Sequence, residues 1–344
     1  MLTFCTLFDS YYLDKGLALY QSLENVTNSF TLYVFCFDNK SYEILSKNGF
    51  SHMQALHHSC FETEELLKLK KERSKAEYCW TCTSVIIEYV LDHFQVESCT
   101  YLDSDLFFYA DPQILFDEIE RKEADVVIVP HRFKDNRKGR RMEKRNGKYC
   151  VQFNYFRQTA NGRNVLKWWK DKCFEWCYDI PEPDRMGDQK YLNNFKQNFD
   201  GVYELEHLGG GVAPWNLEQY QFCNESQKKL MMKTKSGETF QLVFYHFQNL
   251  RYLPGNKVNI KSQTKNKRLK YKIYIPYLQE IEKIRKDLKG EYGLSFAPAK
   301  LQRSSNKLIG FLQRHFAAFK IQSISDILDL NRLEKYKEKS TKML

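Results

Sequence analysis

Two aspartates one residue apart, Asp103 and Asp105 with Ser104 between them, are the side chains best placed to do chemistry in this chain. They lie within Cys99-Thr-Tyr-Leu-Asp-Ser-Asp-Leu-Phe-Phe-Tyr-Ala-Asp-Pro112. Thr100 to Leu102 reads as the end of a buried strand, and Leu106 to Tyr109 resumes an apolar run that Asp111-Pro112 stops. Carboxylates at i and i+2 of a bending extended chain can reach one hard cation together. Mg²⁺ or Mn²⁺ suits such a pair, because these ions take one or two protein carboxylates and fill the remaining positions with phosphate oxygens and water. A bare Asp-x-Asp is more often a solvated turn. The apolar segments on both sides favour the metal reading, since a surface turn does not need them. The strand Leu242-Val-Phe-Tyr245 delivers His246, a lone histidine of a kind more often structural than ligating, which gains meaning only if it converges on the aspartates.

The elements that must position these residues alternate strand and helix. Leu2 to Phe8 is a strand candidate leading into Asp9-Ser-Tyr-Tyr12; Leu13 to Leu23 has helical spacing; Phe30 to Phe37 is a second apolar strand; Ser41 to Asn48 is a helix. That order signals a βαβ unit with a parallel sheet, in which ligands bind at the C-terminal edge of the strands. Tyr11 or Tyr12 could stack on a nucleobase and Asp9 could accept a hydrogen bond from it; the tyrosines could equally just cover the sheet. Further on come a charged helix (Glu62 to Lys75), an apolar helix (Tyr78 to His93), a short helix (Phe116 to Lys122) and a buried strand (Ala124 to Pro130). Val151 to Arg157 is strand-like, and Asn164 to Tyr178 is an aromatic helix with a core-like pattern. A loop delivers Gly187-Asp188-Gln189 to a helix at Lys190 to Phe195, where an Asp is ordinarily an N-cap. His207-Leu-Gly-Gly-Gly-Val-Ala-Pro-Trp-Asn216 permits close backbone approach to a ligand, or a flexible turn.

The 344 residues are 42% hydrophobic and 15% aromatic, enough for a sizeable core and too apolar for a disordered chain. The 53 Lys+Arg against 43 Asp+Glu give a net charge of +10, which suggests an anionic partner. The most skewed segment, His131 to Lys148, reads as a basic loop that could close over a diphosphate, receive an anionic acceptor, or stay solvated. No interleaved aromatic platform accompanies it, so nucleic acid is not expected as a partner. No 18-residue apolar run and no secretory n-region occur, and the ten cysteines form no disulfide framework. Cys79/Cys82 and Cys173/Cys177 have metal-like spacing but fit helix faces better. A cytoplasmic protein is the expectation, with the inner face of the membrane as a possible location. Residues 257 to 272 read as a linker or edge, and 277 to 289 and 305 to 337 as basic helices; the apolar face of Leu308 to Phe319 could lie on an anionic bilayer or pack on the domain.

Together these pieces resemble a GT-A-fold nucleotide-sugar glycosyltransferase, close in layout to retaining glycosyltransferase family 8 and to related bacterial glycosyltransferase-like proteins with Gly-x-x-Ala-Pro-Trp-Asn and Tyr-His-Phe segments. The resemblance covers residues 1 to about 255. It implies an α/β fold with a Rossmann-like mixed sheet flanked by helices. Residues 1–255 would be the catalytic domain and 256–344 a basic, mainly helical extension. It further implies that Thr6, Leu7, Asp9 and Tyr11 or Tyr12 hold the base and ribose of a donor, in this family a UDP-sugar. Asp103, Asp105 and His246 would hold Mn²⁺ (or Mg²⁺) against the diphosphate, and Ser104 would contact the donor. Asn154, Asp188 and Gln189 would face the sugar. Tyr155-Phe156 replaces a small Ala-Gly pair. The segment after the His, Asn249-Leu-Arg-Tyr-Leu-Pro254, lacks the family's lysine, and Arg251 or Lys257 could supply that charge. The implied activity is transfer, with retention, to a surface-glycan or lipid-linked acceptor, with peripheral membrane contact through the C-terminal helices. The alternatives are a nucleic-acid-binding protein or an inactive GT-A scaffold at the membrane; a nucleotidyltransferase would need a glycine-rich phosphate loop where Asp9-Ser-Tyr-Tyr12 stands.

Overall fold

A computed structural model describes residues 1–226, 229–298 and 326–342. The chain divides into two compact units. The first is Met1–Val212 with Glu225–Leu230 and Phe240–His246; the second is Ala213–Asn224 with Met231–Thr239 and the described part of Phe247–Leu344.

In the first unit, β1 (Leu2–Phe8), β2 (Phe30–Cys36), β3 (Met53–His57) and β4 (Ser98–Leu102) are joined by β6 (Val126–Pro130), β7 (Tyr149–Arg157) and β8 (Val202–Glu204); β5 (Leu106–Phe108) stands apart. The seven-stranded sheet has the order β3-β2-β1-β4-β7-β6-β8. β7 runs antiparallel to both β4 and β6, and the remaining pairings are parallel. This is the parallel-dominated, helix-flanked mixed α/β sheet that the strand–helix alternation calls for. β1 and β2 are nearly unbroken apolar runs because both faces of a parallel sheet are covered by helices.

The helices are α1 (Leu13–Glu24), α2 (Asn39–Lys47), α3 (Glu64–Glu72), α4 (Lys75–His93), α5 (Gln113–Arg121), α6 (Arg137–Asn146) and α7 (Ala160–Glu175). α4 starts at a capping box: Glu77 N–H donates to Ser74 Oγ, and Ser74 N–H donates to Glu77 Oε2 at 2.8 Å. α7 buries Trp169 completely, stacked at 5.9 Å on Phe156 of β7. Truncating that indole to Ala would cost on the order of 3–5 kcal/mol.

Several sequence expectations need correcting. The basic segment 131–148 is not a loop throughout: Arg137–Asn146 is a helix, capped by Asn136, whose side chain accepts from Gly139 N–H at 2.8 Å. Apolar periodicity could not reveal it, because its face is charged. The cations of 137–146 fall within an arc of about 160° at 100° per residue, with Met142, Asn146 and Gly139 opposite. Lys190–Asn194 is a 3-10 helix with Gln189 at its N-cap position and no side-chain cap, so Asp188 is not an N-cap. The stretch 257–272 is not a plain linker. It holds the strand Lys257–Asn259 and opens the helix Lys267–Tyr292. Residues 308–319 and most of 305–337 lie outside the described residues; Leu333–Lys342 is helical.

In the second unit, the helix Lys267–Tyr292 buries Leu269, Ile273, Tyr274, Tyr277 and Leu278, and Phe247 stacks on Tyr277 at 3.7 Å. Lys270 and Asp326 form a buried ion pair at 2.6 Å, to which Ser262 Oγ adds a hydrogen bond. No described helix is long and apolar enough to cross a membrane.

Candidate functional site

The strand order places Asp103 where β4 ends. Leu106 N–H donates to the Asp103 carbonyl at 3.1 Å, closing a tight turn that turns Asp103 and Asp105 toward the same space. After the turn, β5 pairs antiparallel with the strand Phe244–His246, in the register His246↔Leu106. That register sets the imidazole beside the aspartates. His246 Nε2 lies 3.0 Å from Asp105 Oδ1 and 3.6 Å from Asp103 Oδ2. One ligand atom from each residue falls within 4.8 Å of the others, and no other such group of three occurs among the described residues.

The glycine turn builds this register. Phe244 and Val243 N–H groups donate to the Gly209 carbonyl, and a side chain on Gly209 would collide with the Gln241 carbonyl. Gly210 sits against Leu205 and Leu115, and Gly211, at φ +126°, leaves no room for a side chain beside Val129. The three glycines thus anchor the strand that carries His246. Arg132 reinforces the turn, donating to the carbonyls of Gly210 at 2.9 Å and Leu205 at 2.7 Å.

Gln152 of β7 completes the cluster. Its Oε1 lies 2.8 Å from His246 Nδ1, so an N–H at Nδ1 leaves the Nε2 lone pair facing the carboxylates, the tautomer a metal-ligating His needs. Sequence reasoning missed Gln152, although it shares a strand face with Asn154 two residues on, a period-2 relation legible in Val-Gln-Phe-Asn. Burial opposes charge on His246, but Asp105, a Cys150 hydrogen bond and Asp103 raise its pKa well above the ordinary imidazole value. Burial likewise pushes Asp103 up, against the pull of His246. Asp105 goes the other way: burial would raise it, yet the His246 charge and hydrogen bond, with Lys15, hold it below the usual carboxylate range. Two carboxylates and one imidazole nitrogen gathered in one partly dry site could hold a divalent cation.

Asp188 is 5% exposed and close enough to Asp103 to feel its charge; burial first, then Asp103, push its carboxyl up to about 8. Its backbone carbonyl accepts from Trp169 Nε1 at 2.8 Å, so the α7 core holds the Gly187-Asp188-Gln189 turn in place. The Gln189 side chain reaches Met186 Sδ at 3.7 Å. Asn154 is fully buried, and neither its amide nitrogen nor its oxygen has a hydrogen-bond partner among the described residues. Its register partner, Tyr101, donates from its hydroxyl to Asp103 Oδ1 at 3.0 Å. An orphaned buried amide costs roughly 1–3 kcal/mol, which a polar ligand group or a water would recover.

At the β1 exit, Thr6 is fully buried and Leu7 nearly so. Asp9 folds the loop. Its Oδ1 accepts from Tyr11 N–H at 2.9 Å and Tyr12 N–H at 3.2 Å, and its Oδ2 meets Lys75 Nζ. The carboxylate expected to meet a base is thus already engaged by the loop it holds. Tyr11 and Tyr12 are 56% and 41% exposed, with ring centroids 5.9 Å apart, open to a stacking partner. Arg251 and Lys257 belong to the second unit, exposed on a pair of antiparallel strands with Leu253 opposite Lys257. All ten cysteines are free thiols, and Cys173 shares a hydrogen bond with Cys177, not with the Cys79/Cys82 pair.

Fold and site define a mixed α/β protein whose sheet edge gathers a carboxylate–imidazole cluster able to hold a divalent cation. The chain belongs to the family of the uncharacterized Bacillus subtilis protein YfnF, to which it is 30% identical over 261 residues, 74% of this chain and 84% of that one. It is also similar to YfnD of the same organism, with 26% identity over 285 residues, 81% and 88% of the two chains. No family model matches the sequence. Solved structures that overlap it include an active-site mutant of LgtC, 11% identical over 72% of this chain and 88% of that one, with a TM-score of 0.46. Mouse xyloside xylosyltransferase 1 is another, 11% identical over 72% and 98% of the two chains, with a TM-score of 0.42.

Proposed function

We propose that the protein is a metal-dependent glycosyltransferase that moves a sugar, with retention, from a nucleoside diphosphate donor of the UDP-sugar kind to a surface-glycan or lipid-linked acceptor. The observation that carries this reading is the convergence of Asp103, Asp105 and His246 at 3.0–3.6 Å, from a strand end and a strand remote in sequence. A divalent ion held there, Mn²⁺ or Mg²⁺, would supply Lewis acidity toward a diphosphate leaving group. The chain's own residues do the rest. Gln152 orients His246; Ser104 lies in the turn between the two carboxylates; Thr6, Leu7, Asp9, Tyr11 and Tyr12 form the wall for base and ribose. Asn154, Asp188 and Gln189 meet the sugar, where an oxocarbenium-like centre gains from a nearby carboxyl or amide carbonyl. In this reading residues 1–255 are the catalytic domain, and the basic extension at 256–344 provides contact with a membrane surface in the cytoplasm.

The deciding experiment is a thermal-shift panel of nucleotide sugars with and without Mn²⁺, repeated on Asp105→Ala. A bound donor raises the melting temperature in proportion to the logarithm of its concentration over its dissociation constant. At least one donor should stabilise the wild type only with Mn²⁺, and no donor should stabilise the variant. A flat panel for the wild type would end the reading.

A further inference from the structure

Charge balance at the site raises a question the metal cluster does not answer. Two carboxylates and a divalent cation sum to zero, with the imidazole neutral once it ligates. A donor diphosphate diester brings two negative charges, and a third develops as the sugar leaves. A cation from the protein must therefore reach the same space.

In the first unit, Lys15 has the right placement. It lies in the first turn of α1, directly after the tyrosine loop, and its side chain is only 13% exposed. Its Nζ sits 4.0 Å from the centroid of the Tyr12 ring and 5.9 Å from that of Tyr11. Asp14 Oδ1 is 3.6 Å away, too far for a strong hydrogen bond. The ammonium makes no hydrogen bond among the described residues, so three N–H donors are unused in a mostly enclosed position. β1 and β4 are parallel neighbours, in the register Cys5↔Tyr101, so the loop that leads into Lys15 and the turn that carries Asp103 and Asp105 leave the same edge of the sheet. The backbone beside it is fixed: a side chain at Gly16 would overlap the Phe8 ring, so α1 starts hard against the end of β1. Lys75, by contrast, is 71% exposed and already joined to Asp9.

We propose that Lys15, beside the Tyr12 ring on the sheet edge that also carries the Asp103–Asp105–His246 cluster, is the cation that binds the donor's diphosphate. This rests on the donor reading above and deepens it. The step it serves is balanced: the bond from the anomeric carbon to the β-phosphate oxygen breaks, and its electron pair stays on that oxygen. The acceptor hydroxyl oxygen bonds to the anomeric carbon, and its proton passes to the phosphate. Lys15 shares the phosphate charge before and after transfer and does not itself exchange a proton. The cation–π contact with Tyr12 sets the ammonium's height above the stacking surface, so base and diphosphate are read by one short segment.

The test is a comparison of uridine, UMP, UDP and a panel of other nucleoside diphosphates, by calorimetry with saturating Mn²⁺, on wild type, Lys15→Met and Lys15→Arg. Lys15→Met should weaken the best nucleoside diphosphate at least tenfold and its nucleoside less than threefold. Mn²⁺ binding alone should stay within threefold, and Lys15→Arg should recover most of the diphosphate affinity. Equal loss for nucleoside and diphosphate would mean that Lys15 merely props the tyrosines, and the proposal falls. An unchanged diphosphate affinity in Lys15→Met also overturns it while leaving the donor reading intact. Failure of the wild type to bind any nucleoside diphosphate removes both.

Discussion

The Asp103–Asp105–His246 cluster and the basic helix α6 are two concentrations of charge in the first unit, and they differ in nearly every physical respect. At the cluster, three ionisable groups from a turn and a remote strand meet at 3.0–3.6 Å with side chains 5–28% exposed. On α6, Arg137, Arg141, Lys144 and Arg145 are exposed and make no salt bridge among the described residues, while Arg140 pairs only with Asp135, which is 91% exposed. Charges in partly dry surroundings polarise one another and shift their pKa values, whereas solvated charges scarcely interact. Density of charge along a sequence therefore says little about where chemistry happens; density in space, away from water, says much more.

The contrast breaks most visibly at the ligands. Asp105→Ala or His246→Ala should lower Mn²⁺ affinity more than ~100-fold, beyond the range typical of losing an outer-shell partner. Mn²⁺ titration followed by melting temperature checks this, and a variant that still binds at wild-type strength would refute the cluster as a metal site. Next in size is Gln152→Ala, expected to cost ~10–100-fold in Mn²⁺ affinity with the fold intact, because the imidazole loses its tautomer-fixing partner. Rescue by Gln152→Glu would show that the acceptor matters and not the amide.

Titration sharpens the same comparison in metal-free protein. Asp188 has a folded-state pKa of about 8, raised from 3.8, so the folded state holds the proton more tightly. Its contribution is fully present below pH 3.8 and declines as pH rises through 8, by up to ~1.4 kcal/mol per pH unit in that window. His131 has the opposite sign: burial lowers its pKa from 6.5 to about 4, so its contribution is present above pH 6.5 and is lost as pH falls toward 4. Chemical denaturation from pH 4 to 9 should show a shallower fall in stability between pH 4 and 8 in Asp188→Asn and a shallower loss toward pH 4 in His131→Gln. Slopes equal to wild type would remove these residues as the titrating groups. Smallest of all, Arg141→Glu combined with Arg145→Glu should change unfolding free energy by less than ~0.5 kcal/mol, since exposed charges contribute little. A larger loss would mean that α6 is held by contacts its exposure does not suggest.

The sequence by itself determined the alternation of elements, and with it the sheet edge. Apolar runs such as Leu2–Phe8 and Phe30–Cys36 read as strands buried on both faces and are so, and the Asp-Ser-Asp at the end of Ser98–Leu102 was placed at the C-terminal edge of the sheet, where it lies. Local composition was enough for these, because periodicity and turn chemistry act over a few residues. It failed on α6, whose helix is written in charge and not in apolar spacing, and the ordinary local role of an N-cap does not hold for Asp188. Only the tertiary structure decided that His246 meets the aspartates. That depends on an antiparallel register between Leu106–Phe108 and Phe244–His246, set by glycines whose missing side chains let Gly209 accept from the next strand. The ammonium of Lys15 and the amide of Gln152 were likewise invisible, since a long-range contact leaves no local pattern in the chain that makes it.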